Sequence, residues 1–404
     1  MTGVRASAVM RFEKRFGVSR SDIDPSDPDY LAPNEGWLPI GDKLETTFTP
    51  NNNWTVLNSI GTKFRTGEVA GKFDGTFSIS TLLDYYNIYI LATCMEGYAY
   101  DYPIDAEGNY RLVDPLGPDN PTNYFPKVHT FKKADSRRVP SFEVKQKVLN
   151  KMVDGSFDVT RTFKGCVVNN AQFNQDTSKS TLGITLPGKY RWQIDKYEDL
   201  PATDWVPYIG DKIEWNCLSI NGEEIANVET LGFGVNNNSD FLFGTCSRKS
   251  SGYYEKNAVF AMNATVYSNR PELFQQRIYS GGFGDYLPPH PTEHGLLSVD
   301  GVNPIFEPLK KNLKPIPQME ITSPTADGSD RYCEIILGMV TVSGYALEAK
   351  TDSKMVDKPT LSPRKWVINL DNNITTSLYD VGYLSTDGLT AMTKAILPNK
   401  PVTP

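Results

Sequence analysis

Histidine is the scarcest reactive residue in this chain: His129, His290 and His294 are the only three in 404 residues. General acid–base catalysis and zinc binding draw heavily on imidazole, so both start from little material. Cysteine is sparse too. Cys94, Cys166, Cys217, Cys246 and Cys333 lie far apart, are odd in number and form no C-x-x-C pair. They read as reduced thiols, mostly in the core, and not as a disulfide framework. No apolar run reaches the ~18 residues of a membrane span. The nearest, residues 83–95 (LDYYNIYILATCM), is too short and too aromatic. The start of the chain leads into Arg11, Glu13, Lys14 and Arg15 with no apolar signal core. The expectation is synthesis in a cytoplasm, no export by the usual route and no membrane insertion. The N-x-[ST] triplets at Asn53, Asn237, Asn263 and Asn373 then carry no glycosylation meaning. Basic residues are outnumbered, 41 to 48, for a net charge of −7. A protein that grips nucleic-acid phosphates wants the opposite balance.

Catalytic constellations are poor. His290, Glu293 and His294 have the spacing of a metal pair, but Pro288, Pro289 and Pro291 forbid the helix that would present them. His129 sits in an apparent strand. No G-x-S-x-G elbow occurs, and Gly281, Gly282 and Gly284 lack the flanking strand and helix of a phosphate loop. A glycosidase needs two carboxylates on a β scaffold, yet no localised pair stands out. Residues 127–138 (KVHTFKKADSRR) are the most basic stretch. They read first as a solvated strand end, with an intersubunit salt-bridge surface or a nucleic-acid patch as alternatives. The expectation is no catalytic residue, no cofactor, no metal and no enzyme.

What is present is alternation. Residues 72–79 (KFDGTFSI) set Phe73, Gly75, Phe77 and Ile79 on one side and polar residues on the other, the mark of a half-buried antiparallel strand. Similar runs occupy 141–148, 157–163, 189–194, 229–235, 258–267, 334–345 and 365–370. Few stretches read as helix. Residues 80–95 open with Ser80 as an N-cap, residues 271–277 open with Pro271 at a first turn, and a short helix is expected over 8–17. The fold class expected is mainly β: two tandem antiparallel sandwich or barrel domains, each with one short helix. Residues 1–50 read as an N-terminal arm without a core of its own, 51–205 as the first domain, 206–385 as the second and 386–404 as a C-terminal tail.

The tandem expectation rests on repeated order. Phe163, Gly165, Cys166 and Val167 (FKGCV) match Ile336, Gly338, Met339 and Val340 (ILGMV). Residues 177–179 (TSK) match 351–354 (TDSK), and 189–194 (KYRWQI) echo 365–370 (KWVINL). Such order and spacing point to a duplicated β unit. Residues 96–128 and 278–330 fall in equivalent places as long irregular segments rich in Tyr, Pro and Asp. Loops of that length are usually functional, and aromatic ones suit protein–protein contact.

The run 66–80 (TGEVAGKFDGTFSIS) resembles the opening of a bacteriophage tail tube domain. Residues 128–131 (VHTF) and 140–144 (PSFEV) resemble that family's second strand pair; 163–168 (FKGCVV) and 179–184 (KSTLGI) resemble its next hairpin. Residues 219–222 (SING), 230–233 (TLGF) and 236–238 (NNN) resemble the opening of a second copy, so the resemblance spans roughly 55–375. It implies a structural virion protein that self-assembles into stacked rings forming a tail tube. It implies homotrimeric rings with pseudo-hexameric symmetry, made in a bacterial host cytoplasm and housed in the virion. Partners would be further copies and other tail proteins, such as tape measure, terminator and baseplate proteins. Genomic DNA would only pass through the lumen, whose acidic or neutral wall would repel phosphate. Residues 1–50, 96–128 and 278–330 have no counterpart in the family pattern. The alternatives are another β-rich virion component, such as a capsid decoration or baseplate protein, and a carbohydrate-active β protein.

Overall fold

The computed structural model describes residues 8–27, 30–41, 44–58, 65–83, 87–98, 128–132, 139–152, 155–176, 182–198, 200–201, 217–220, 223–268, 316–324, 332–348 and 356–371. The chain is mainly β, built around a large antiparallel sheet.

The first half contributes β1 (Ala8–Phe12), β2 (Leu38–Pro39), β3 (Glu45–Thr49), the hairpin β4 (Trp54–Asn58) and β5 (Arg65–Ala70), and β6 (Gly75–Leu82). It continues with β7 (Glu96–Tyr98), β8 (Val128–Lys132), β9 (Phe142–Met152), β10 (Gly155–Val168), β11 (Asn170–Asp176), β12 (Gly183–Tyr190) and β13 (Trp192–Lys196). The second half holds β14 (Cys217–Ile220), β15 (Glu223–Asn236), the hairpin β16 (Asp240–Phe243) and β17 (Ser250–Tyr254), and β18 (Val259–Ser268). It ends with β19 (Ile316–Pro324), β20 (Tyr332–Glu348) and β21 (Val356–Asp371). Alternating side chains make these strands. In β6 and β12 every second residue is buried, so Phe77, Ile79, Ile184 and Leu186 enter the core while Thr76 and Thr185 do not.

One pairing scheme occurs twice. Across the first half the ladders run β1–β9–β10, then to β13 and the end of β12, then β12–β6–β3. Across the second they run β14–β19–β20–β21–β18–β15. Strands in equivalent places come in the same chain order, and all pairings are antiparallel. Registers agree along two rows that cross the ladders. The row Met10, Val144, Phe163, Gln193 answers to Ile220, Met319, Leu337, Trp366. The row Phe48, Phe77, Gly188 answers to Phe233, Met262, Leu361. In the second half β14 also pairs with β15 and closes a barrel; in the first, β1 pairs with β2 in the same position.

Several expectations are corrected. Residues 8–12 are not helical: they form β1, buried on both faces, so the segment expected as an arm supplies a strand of the core. Residues 80–95 are not an α-helix. Ser80 lies inside β6, its hydroxyl 3.0 Å from that of Thr185, and among the described residues of this stretch helical turns are confined to a 3-10 segment at Ile88–Thr93. This stretch misleads because its buried Leu83, Asn87, Ile90, Leu91 and Cys94 fall at i, i+4, i+7, i+8 and i+11, the spacing of one face of an α-helix. The segment 278–330 is not irregular throughout, since β19 occupies Ile316–Pro324. The repeat is one residue out at its centre. Inward-facing Phe163 and Cys166 correspond to Leu337 and Val340, so Gly165 corresponds to Met339 and not to Gly338. Both are left-handed, with φ of 67° and 52°. The expected helix over 271–277, the bulk of the 96–128 segment and the 386–404 tail lie outside the described residues.

Candidate assembly interface

Among the described residues the two halves join through three contacts, and each is built from backbone ladders or a clasping hairpin. The first is β11 on β15, seven paired residues from Asn170↔Asn236 to Asp176↔Thr230. Across this seam Phe173 stacks on Phe233 at 4.2 Å and 8°. Phe233, Phe260 and Trp366 continue the ladder over the next strands, at 5.8 and 5.0 Å. Cross-strand aromatic pairs of this kind contribute roughly 0.5–1.5 kcal/mol each beyond area burial. At the seam's end Asn237 is buried; its backbone N–H donates to Asn169 O (2.8 Å) and its Nδ2 to Cys94 O (3.0 Å).

The second contact is the β16–β17 hairpin, which folds over the first half. Phe241 and Tyr253 bury themselves against Val139 and Val167, with Phe16 at ring distances of 5.4 and 5.1 Å. Tyr253 Oη donates to Val139 O, and Arg191 Nε donates to Ser250 O at 2.7 Å. Lys189 lies between Asp74 (3.4 Å) and Asp240 (3.0 Å). Burial alone would lower the Lys189 pKa, but the bond to Asp240 and both carboxylate charges outweigh it and hold it above the usual value. The third contact sets β8 against β21, with His129 opposite Leu370. His129 therefore lies on a strand, as expected.

Candidate chemistry does not gather. Among the described residues no three His, Cys, Asp or Glu form a metal-holding group; His290 and His294 lie outside them. Cys94 and Cys166 are buried free thiols, and burial pushes both upward, away from the reactive thiolate. The basic stretch 127–138 is described only at β8.

The most perturbed carboxylate is Glu13, pushed up to about 8 by burial first and the neighbouring Glu143 charge second. It sits beside a buried ion pair. Arg11 Nε donates to Glu143 Oε1 at 2.7 Å, Nη1 to the carbonyls of Ala32 and Glu35, and Nη2 to Ser19 and Ser21. Glu13 accepts from Gly165 N, Gly17 N and Ser141 Oγ at 2.7–2.8 Å. Every oxygen of Glu13 is engaged by protein donors. The cluster is a lock that ties residues 11–35 to β9 and to the Gly165 kink, not an acid–base pair open to substrate.

Sequence reasoning missed both hairpins, and a signal for them was present. Asn51–Asn53 and Asn236–Asn238 are identical triplets that enter them. Asn53 and Asn238 both have positive φ, 42° and 49°. Their backbone N–H groups donate to equivalent turn acceptors, Asn51 Oδ1 (3.1 Å) and Asn236 Oδ1 (2.9 Å). Their side chains reach the equivalent carbonyls of Lys72 and Asn257. No protein-family model matches the chain, and no curated protein sequence matches it.

Proposed function

We propose that this chain is a structural subunit of a bacteriophage tail tube, in which copies close into rings and the rings stack. The carrying observation is the β11–β15 seam between halves that share one pairing scheme. It is a head-to-tail joint between two similar units, and a heterologous joint of that kind closes a ring when its rotation sums to a full turn. With two tandem tube domains in each chain, three chains make a ring of pseudo-sixfold symmetry. Half the joints then lie within chains and half between them. The molecule acts by shape: it forms a conduit through which DNA passes, with contacts to further copies and to other tail proteins. A net charge of −7 suits a wall that does not hold phosphate.

The test is negative-stain microscopy of the purified protein with symmetry analysis of the cross-sections. Rings or tubes with threefold symmetry and six similar lobes are expected. Six equivalent subunits per ring, with the second half outside the wall, would refute the trimer; a monodisperse monomer at high concentration would refute the tube.

A further inference from the structure

Among the described residues each strand edge that meets at the internal seam has an unpaired equivalent in the other half. The edge of β15 that receives β11 corresponds to the edge of β3 facing away from β6. Among the described residues no strand pairs with it. The strand that corresponds to β11 is the second half of β20. β11 leaves β10 after Asn169 and pairs with β12 one residue out of step; β20 slips likewise between Val342 and Gly344 and runs on to Glu348. β19 covers one edge of β20 only as far as Val340. Beyond it, among the described residues, that edge carries no strand.

Side chains next to these edges differ in the way a missing neighbour requires. Asn237 and Asn52 are the middle residues of the matching triplets. Asn237 is buried at the seam, whereas Asn52 is exposed. Two places on, Ser239 donates to Val168 O across the seam at 3.3 Å. Its counterpart Trp54 is 56% exposed. Gly165 lies under Phe16, one face of the apolar patch that the β16–β17 hairpin covers. Its counterpart Met339 is 40% exposed. A large aromatic and a methionine left in water on matching positions mark a joint that a single chain cannot complete.

We propose that β3 of one copy pairs antiparallel with Ala346–Glu348 in β20 of a second copy, that Asn52 and Trp54 dock at Val342 and Ser343, the counterparts of Val168 and Asn169, and that the β4–β5 hairpin covers the Met339 kink. The partner is another copy of this chain, because the receiving surface is the one its own β15 already meets. The register follows from the seam. Gln172↔Gly234 and Phe173↔Phe233 become Ala346↔Thr49 and Leu347↔Phe48 between chains. This rests on the ring reading above and specifies its intersubunit joint.

The full chain carrying Thr49→Cys and Ala346→Cys, with exposed Cys246 changed to Ser, tests it. Directly opposed residues on antiparallel strands lie within disulfide reach, roughly 4.5–5.5 Å between Cα atoms. Mild oxidation should give a ladder of covalent oligomers on a non-reducing gel. Each single-cysteine variant alone should stay monomeric, and the two mixed should give dimers only. Trp54→Asp alters a residue already in water, so it should leave the thermal unfolding midpoint unchanged and raise the concentration needed for assembly at least tenfold. Rings without the cross-link, or normal assembly of Trp54→Asp, would overturn this joint and leave the ring reading standing. Neither rings nor cross-link at high concentration would overturn both.

Discussion

The left-handed kink shared by β10 and β20 gives opposite outcomes for two reciprocal substitutions. At Gly165, φ is 67° and an added Cβ would stand 2.6 Å from Arg191 Cβ and 3.1 Å from Phe16 Cε2. A left-handed L-residue costs about 1–2 kcal/mol, and overpacking against atoms that cannot swing away costs about 1–3 kcal/mol more. Reduced freedom of the unfolded chain returns about 0.4–1 kcal/mol. Gly165→Ala should therefore destabilise the monomer by about 2–4 kcal/mol. At Met339, φ is 52° and the side chain is 40% exposed. Met339→Gly relieves about 1–2 kcal/mol of backbone strain and loses about 0.5–1 kcal/mol to glycine's extra unfolded-state entropy. The monomer should be unchanged or up to about 1 kcal/mol more stable, by the same terms, while assembly weakens because the joint loses its methionine. Urea denaturation of dilute protein reads the first effect, and sedimentation at rising concentration reads the second. A neutral Gly165→Ala, or a Met339→Gly that costs more than about 1 kcal/mol, would refute the argument that one strained kink is filled from within in one half and left open in the other.

The Glu13 carboxyl should make stability fall with rising pH. Below its ordinary value of 4.5 the group is protonated in folded and unfolded chains alike; between 4.5 and about 8 only the unfolded chain ionises. The loss is up to about 1.4 kcal/mol per pH unit and levels off above the folded-state value; urea midpoints at several pH values should show it, and Glu13→Gln should flatten the slope. Breaking the buried pair with Arg11→Ala should cost about 3–5 kcal/mol, because Glu143 is left charged and buried, and a chemical denaturation curve that moves less would sink the lock. Deleting residues 100–122 should leave a folded monomer by circular dichroism that no longer polymerises; normal tubes from that deletion would show the segment to be idle.

Much of the strand content was legible because a sheet with one buried face imposes a period of two on its sequence. Residues 157–163, 229–235 and 334–345 fall within strands for that reason, and 141–148 and 258–267 do so from their second residue on. Strand order was half legible. The FKGCV and ILGMV pair located the repeat, but the matching glycines drew the alignment one residue away from the kink. Burial places Met339 there, at a φ that few residues other than glycine adopt. β1 was illegible: all its residues are buried, including Arg11, whose charge reads as solvent-exposed until Glu143, brought beside it by the β1–β9 ladder, neutralises it. Local pattern determines which residues face inward. Which edges meet, and which on β3 and β20 stay unpaired among the described residues, is decided only when strands distant in the chain compete for backbone hydrogen bonds, and no local sequence carries that outcome.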